Sequence, residues 1–226
     1  MDRRLTTILA ADVVGYSRLM GADEAGTLAE LKTHRTDLID PKAAQHGGRT
    51  IKLMGDGILM EFGSVVDAVF FAVDVQHAMQ SRNEGVPEGR QIRYRVGINI
   101  GDVIVEDEDI YGDGVNVAAR LEGLADAGGI CIGRSVRDQI RDKLDLNLQD
   151  LGDVEVKNIV RPVRAFQIVM DGKVSALSTP VVRSSARSMG KSRSAGIAVA
   201  TGLLIIVFGG VMLWWKPWSP EIEPAR

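Results

Sequence analysis

The stretch "TIKLMGDGILMEF", residues 50–62, sets apolar runs on both sides of a glycine-flanked acid. Ile51, Leu53, Ile58, Met60 and Phe62 carry the alternation, which predicts a β-hairpin over 49–62 turning at Gly55-Asp56-Gly57. Lys52 lies four residues before Asp56, on the arm that leads to the turn. Asp-Gly is favourable turn chemistry in its own right, so the turn alone accounts for Asp56. Whether the acid does more depends on what the rest of the chain sets beside it.

Upstream, "TTILAADVV" (6–14) predicts a buried strand ending near Gly15. Leu28, Leu31 and Leu38 then follow helical spacing, with a break or restart at Pro41. Downstream of the hairpin, "SVVDAVFFAVDVQHAMQSRN" opens on a capping serine and has a wide apolar face, so it predicts a helix. "QIRYRVGINIGDVIVEDEDIYG" alternates as one long strand or a hairpin, and "GVNVAARLEGLA" reads as a helix. "GGICIG" is a short strand, "SVRDQIRDKL" a helix, and two strands near "LGDVEVK" and "VRAFQIVM" close the domain. The order β-α-β-β-α-β with an α-β extension predicts an α+β fold, a ferredoxin-like layer.

Composition narrows the function. Against 27 Lys and Arg stand 30 Asp and Glu, a net charge of −3, which argues against general nucleic-acid binding. The single cysteine, Cys131, cannot form an internal disulfide and sits in an apolar run, so it reads as core in a reducing cytoplasm. His34, His46 and His77 lack zinc-ligand spacing. The N-terminal "MDRRLTTILAADVV" sets basic residues before an apolar run, but the run is short and contains Asp12, so it does not read as a signal peptide.

The C-terminal part is different in kind. No acid occurs between Asp171 and Glu221, and "AGIAVATGLLIIVFGGVMLWW", 195–215, carries no charge. About twenty apolar residues suffice for a helix to cross a bilayer. Lys191 and Arg193 precede the run, with Trp214, Trp215 and Trp218 at its far end, which places the N-terminal side in the cytoplasm. The expected organisation is a catalytic domain over 1–171, a Ser-rich basic linker over 172–194, a transmembrane helix over 195–215 and a short extracytoplasmic tail over 216–226. The localisation that follows is the inner, cytoplasmic membrane, crossed once. Ser194, Ala198 and Gly202 follow the small-xxx-small spacing that lets membrane helices approach closely.

On the predicted topology the first strand lies beside the hairpin, so Asp12 and Asp56 can approach. Two close carboxylates repel unless one takes a proton or a cation joins them, and a hard divalent ion suits such oxygens. The alternative is that Asp12 pairs with an arginine and Asp56 only turns the chain. Further on, Asn116 and Arg120 share one helical face, either to contact a ligand or simply to meet solvent.

Together these stretches resemble the class III nucleotidyl cyclases over about residues 4–170. "AADVVGYS" is similar to that family's first metal motif and "KLMGDG" to its second. "DIYGDGVNVAAR" resembles its transition-state segment and "VEVKN" its phosphate-lysine strand. The resemblance implies a class III cyclase catalytic domain. Asp12, Asp56 and the backbone carbonyl of Val13 would bind two divalent ions, Mg²⁺ or Mn²⁺. Lys52 and Asp109 would read adenine, Asn116 would orient the ribose, Arg120 would stabilise charge on the α-phosphate, and Lys157 would hold the β- and γ-phosphates. It also implies a head-to-tail homodimer with ATP bound between copies. Lys52 and Asp56, about 13 Å apart along an extended arm at about 3.3 Å per residue, would then serve different ATP molecules. Ala10 and Tyr16-Ser17 depart from the commoner residues at their positions, which alters packing rather than ligands.

A guanylate cyclase is disfavoured by Lys52 and Asp109, which match adenine's donor–acceptor pattern and not guanine's. A silent nucleotide-binding or dimerisation module would be expected to lose one of Asp12, Asp56, Asn116 or Arg120. A palm-type polymerase would need basic and aromatic nucleic-acid surfaces that an acidic chain with 5% aromatic residues does not offer.

Overall fold

A computed structural model describes residues 2–107, 109–155, 162–170 and 175–176, all within one compact unit, Met1–Val181. Lys157 and the expected membrane span at 195–215 lie outside the described residues. Among the described residues no helix is long and apolar enough to cross a membrane.

The chain opens with β1 (Asp2–Val13), then α1 (Tyr16–Ala22), α2 (Glu24–His34) and α3 (Asp40–Gln45). The hairpin is β2 (Gly48–Met54) and β3 (Gly57–Phe62), followed by α4 (Val65–Arg82), β4 (Tyr94–Glu106), β5 (Asp109–Tyr111) and α5 (Asp113–Leu124). Then come β6 (Ile130–Gly133), α6 (Arg134–Ile140), β7 (Leu144–Asp145), β8 (Leu148–Val154), β9 (Val163–Ile168) and β10 (Ser175–Ala176). The main sheet runs in the order β2-β3-β1-β4-β6-β9-β8, with β5 paired to β4. Its first four strands are antiparallel in the ferredoxin-like arrangement, while β6 joins β4 in parallel through α5 and makes the sheet mixed.

Local chemistry explains these elements. Gly55 takes φ +68° and Asp56 does not take a positive φ, the sign pattern of a II′ hairpin turn, with Met54 paired to Gly57 across it. β3 is buried along its whole length because it lies between β2 and β1 under both layers, whereas edge strand β2 is half exposed. Ser64 caps α4 by accepting from the Asp67 N–H. The segment before the hairpin departs from one long helix: a π turn over Arg35–Ile39 leads into α3, where Pro41 sits in the first turn and needs no N–H partner. Leu38 is buried as its spacing suggests, but Leu28 is exposed, and Thr27 turns inward to donate to the Leu19 carbonyl at 3.2 Å.

Two apolar layers result. One face of the sheet, with Leu9, Met60, Phe62, Val96, Ile98 and Ile132, packs against α3, α4 and α6. On the other face, Ile8, Ala10, Leu59 and Val103 meet Ala118, while Cys131 and Ala165 meet Val117 and Leu121. α5 lies close on that second face. A Cβ on Gly97 would come within 2.2 Å of the Ala118 carbonyl oxygen and the Glu122 nitrogen, and one on Gly101 within 2.6 Å of Gly114 Cα. These glycines fix the height of α5 above β4, and with it the residues α5 presents.

Candidate active site

β1 and β3 pair so that Ala11 lies opposite Ile58, which brings the end of β1 alongside the hairpin turn. Asp12 and Asp56 are hydrogen-bonded there, as their adjacency in the sequence-derived topology suggests. The Asp56 carboxyl is pushed up to about 6, first by burial and next by its bond to Asp12, against donation from its own N–H and that of Val13. Two acids in one place, one of them harder to ionise than an ordinary carboxyl, make a site that a cation would stabilise. Hard oxygens on two carboxylates fit a divalent ion that completes its shell with water and phosphate oxygens, so the residues present suit the ions that the resemblance implies.

The alternative pairing for Asp12 is also realised. Arg95 stands opposite Asp12 in the β1–β4 register, and its Nη2 donates to Asp12 Oδ2 at 2.9 Å. The same Nη2 lies 3.1 Å from Glu122 Oε1 on α5. Burial pushes the Glu122 carboxyl up to about 6 against the pull of Arg95. Sequence reasoning missed Arg95 and Glu122 because the β1–β4 register, not spacing along the chain, brings them to Asp12.

A second cluster forms along the hairpin. Lys52 Nζ donates to Asp109 Oδ2 at 2.5 Å, joining β2 to β5. The bond holds the Asp109 carboxyl below the usual carboxylate range and raises the Lys52 ammonium. Tyr111, also missed from the sequence, lies beside both: the Lys52 ammonium is 5.8 Å from its ring centroid, and its hydroxyl helps to hold the Asp109 carboxyl low. The acidic stretch "EDEDIY", 106–111, gave no sign that the tyrosine would return to the lysine.

Asn116 and Arg120 occupy the exposed face of α5, opposite its buried residues Gly114, Val117, Ala118 and Leu121. Among the described residues neither side chain has a hydrogen-bond or ion-pair partner, and neither reaches Asp12 or Asp56. The single chain thus assembles the two aspartates, separately assembles Lys52 with Asp109, and among the described residues leaves the amide and the guanidinium unengaged. A cavity of about 420 Å³, lined by Gln76, Met79, Asn83, Gln91, Arg93 and Met170 among others, contains none of these residues.

Comparison with known proteins identifies the family. The family described as "Adenylate and Guanylate cyclase catalytic domain" matches residues 3–170. A protein of Rhizobium meliloti (strain 1021), provisionally named adenylate cyclase 3, is 50% identical over 164 residues, 73% of this chain and 28% of its own length. The chain therefore spans little more than a quarter of that relative. A crystal structure titled adenylate/guanylate cyclase/hydrolase from Silicibacter pomeroyi is 48% identical with a TM-score of 0.71, covering 74% of this chain and 98% of that one. The adenylyl cyclase CyaB of P. aeruginosa is 27% identical with a TM-score of 0.64, covering 76% of this chain and 98% of that one. The fold, the order of the motifs and these matches agree: the chain belongs to the class III adenylate/guanylate cyclase catalytic-domain family.

Proposed function

We propose that the protein is an adenylate cyclase that converts ATP to cyclic AMP and pyrophosphate at sites shared between two copies. The carrying observation is the division of the site. One chain holds a complete set of residues, yet Asn116 and Arg120 face outward and have no partner among the described residues, while Asp12 and Asp56 lie elsewhere. A head-to-tail homodimer joins the halves and gives two equivalent sites. The apolar Leu53 and Met54, 45% and 49% exposed at the hairpin tip, support burial against a second copy.

In this reading the ribose 3′-oxygen forms a bond to the α-phosphorus in line with the breaking bond to the β-phosphate oxygen, and the 3′ proton is lost. Divalent ions at Asp12, Asp56 and the Val13 carbonyl, when bound, lower the charge on the attacking and leaving oxygens. Lys52 donates to the acceptor ring nitrogen of adenine and Asp109 accepts from the exocyclic amine, each exchanging its present partner for the base. Guanine presents the opposite pattern to both groups, which favours ATP. Asn116 holds the ribose and Arg120 meets charge developing on the α-phosphate. Lys157 takes the β- and γ-phosphates as a point charge.

The uncharged run at 195–215 supports a membrane anchor, with the basic segment before it placing the catalytic domain on the cytoplasmic side of the inner membrane. The test is product formation by the full chain in membranes with ATP or GTP and Mg²⁺ or Mn²⁺. Cyclic AMP that disappears on Asp56→Ala supports the reading. Cyclic GMP as the main product would make the protein a guanylate cyclase, and no product from either nucleotide would favour a binding module.

A further inference from the structure

Arg95 has more acid around it than it satisfies. Its Nη2 is 2.9 Å from Asp12 Oδ2 and 3.1 Å from Glu122 Oε1, but only the contact with Asp12 is a hydrogen bond. Among the described residues, Glu122 Oε1 is buried and receives no hydrogen bond, and Arg95 Nε is buried with no acceptor. An unused acceptor and an unused donor thus belong to the two members of one ion pair, and the Glu122 side chain is only 14% exposed, so water has little access to it. Glu122 cannot easily retreat, because Gly97 admits the α5 backbone at Glu122 directly onto β4.

We propose that Arg95 is a positioning residue with two acid partners, bound to Asp12 while no cation is there and passing to Glu122 when one arrives. The inference rests on the reading of Asp12 and Asp56 as the metal-binding acids. A cation on Asp12 faces the guanidinium as a like charge, so Arg95 competes with it. Release of Asp12 leaves the half-buried guanidinium in need of an acceptor, and Glu122 Oε1 is already within reach. The hand-over tightens β4 to α5 without a large movement. Metal binding at Asp12 is thereby linked to α5, the helix that carries Asn116 and Arg120.

The test is Mn²⁺ titration of the nucleotide-free full chain, reading free Mn²⁺ by electron paramagnetic resonance, with Asp56→Asn defining the site. Arg95→Gln removes the competitor and tightens binding, and Glu122→Gln removes the receiving acid and weakens it, each by roughly threefold to tenfold. In the Arg95→Gln background, Glu122→Gln then has no further effect. Equal weakening by Glu122→Gln in both backgrounds would overturn the hand-over, since that is the signature of a distant charge acting directly. Unchanged affinity in the single variants would overturn it too, leaving only a structural ion pair. Thermal melting reports folding, and Arg95→Met, which keeps the apolar stem but removes the charge, replaces Arg95→Gln if that variant does not fold. Wild-type protein with no Asp56-dependent Mn²⁺ binding would overturn the metal reading itself, so the two failures are distinct.

Discussion

Lys52 Nζ and Asp109 Oδ2 lie 2.5 Å apart although 57 residues separate them in the chain. The pair is at the surface, where an ion pair contributes little to folding. Each group satisfies the other while no base is present, which keeps a donor and an acceptor side by side. Lys52→Ala is therefore expected to leave the melting temperature essentially unchanged while lowering kcat/KM for ATP by roughly tenfold to a hundredfold. Steady-state kinetics with ATP and GTP check this, and an unchanged ATP value would remove Lys52 from base recognition.

The two aspartates predict an opposed pair of effects. Asp56→Asn removes a ligand and should abolish cyclase activity. It also removes a carboxyl that burial and Asp12 push up to about 6, so the metal-free variant is expected to melt higher than the wild type. Mn²⁺ should raise the melting temperature of the wild type and not that of the variant. Differential scanning fluorimetry with and without Mn²⁺ measures both.

Close packing of α5 gives a third expectation. Gly97→Ala places a Cβ 2.2 Å from backbone atoms of Ala118 and Glu122, which no rotamer change can relieve. The helix must shift, at a cost of about 1–3 kcal/mol or more. Activity should fall further than stability, because α5 carries Asn116 and Arg120. Urea unfolding together with cyclic AMP production separates the two effects.

Cys131 supplies a pH dependence. It is fully buried between the sheet and α5, and burial raises its thiol from 9.0 to about 11. Below 9 both folded and unfolded chains keep the proton, so the shift has no effect on stability. Between 9 and 11 the unfolded chain releases the proton first, so stability falls as pH rises. Native protein at pH 8 should resist iodoacetamide and react once unfolded in urea, as mass spectrometry would show.

The hairpin, α4, α5 and β6 were legible because their signals are local: Gly-Asp-Gly at a turn, Ser64 at a cap, the apolar run Ile130–Ile132 in β6. The meeting of Asp12 with Asp56 was legible from topology, since adjacent strands bring a strand end to a turn. Arg95, Glu122 and Tyr111 were not, because register and helix height place them, and neither is written in residue spacing. The helical region before the hairpin was read as simpler than it is. Its π turn over Arg35–Ile39 depends on how Leu38 and Ile39 pack, which tertiary contact decides.

Complementation between inactive variants tests the shared site most directly. Full-length Asp56→Ala and Arg120→Ala are each expected to be inactive. Co-expressed in equal amounts, half of the dimers are mixed and each mixed dimer holds one intact site, so activity should return to about a quarter of wild type for random pairing. A mixture as inactive as its components, with mixed dimers shown to form, would contradict a site built from two copies.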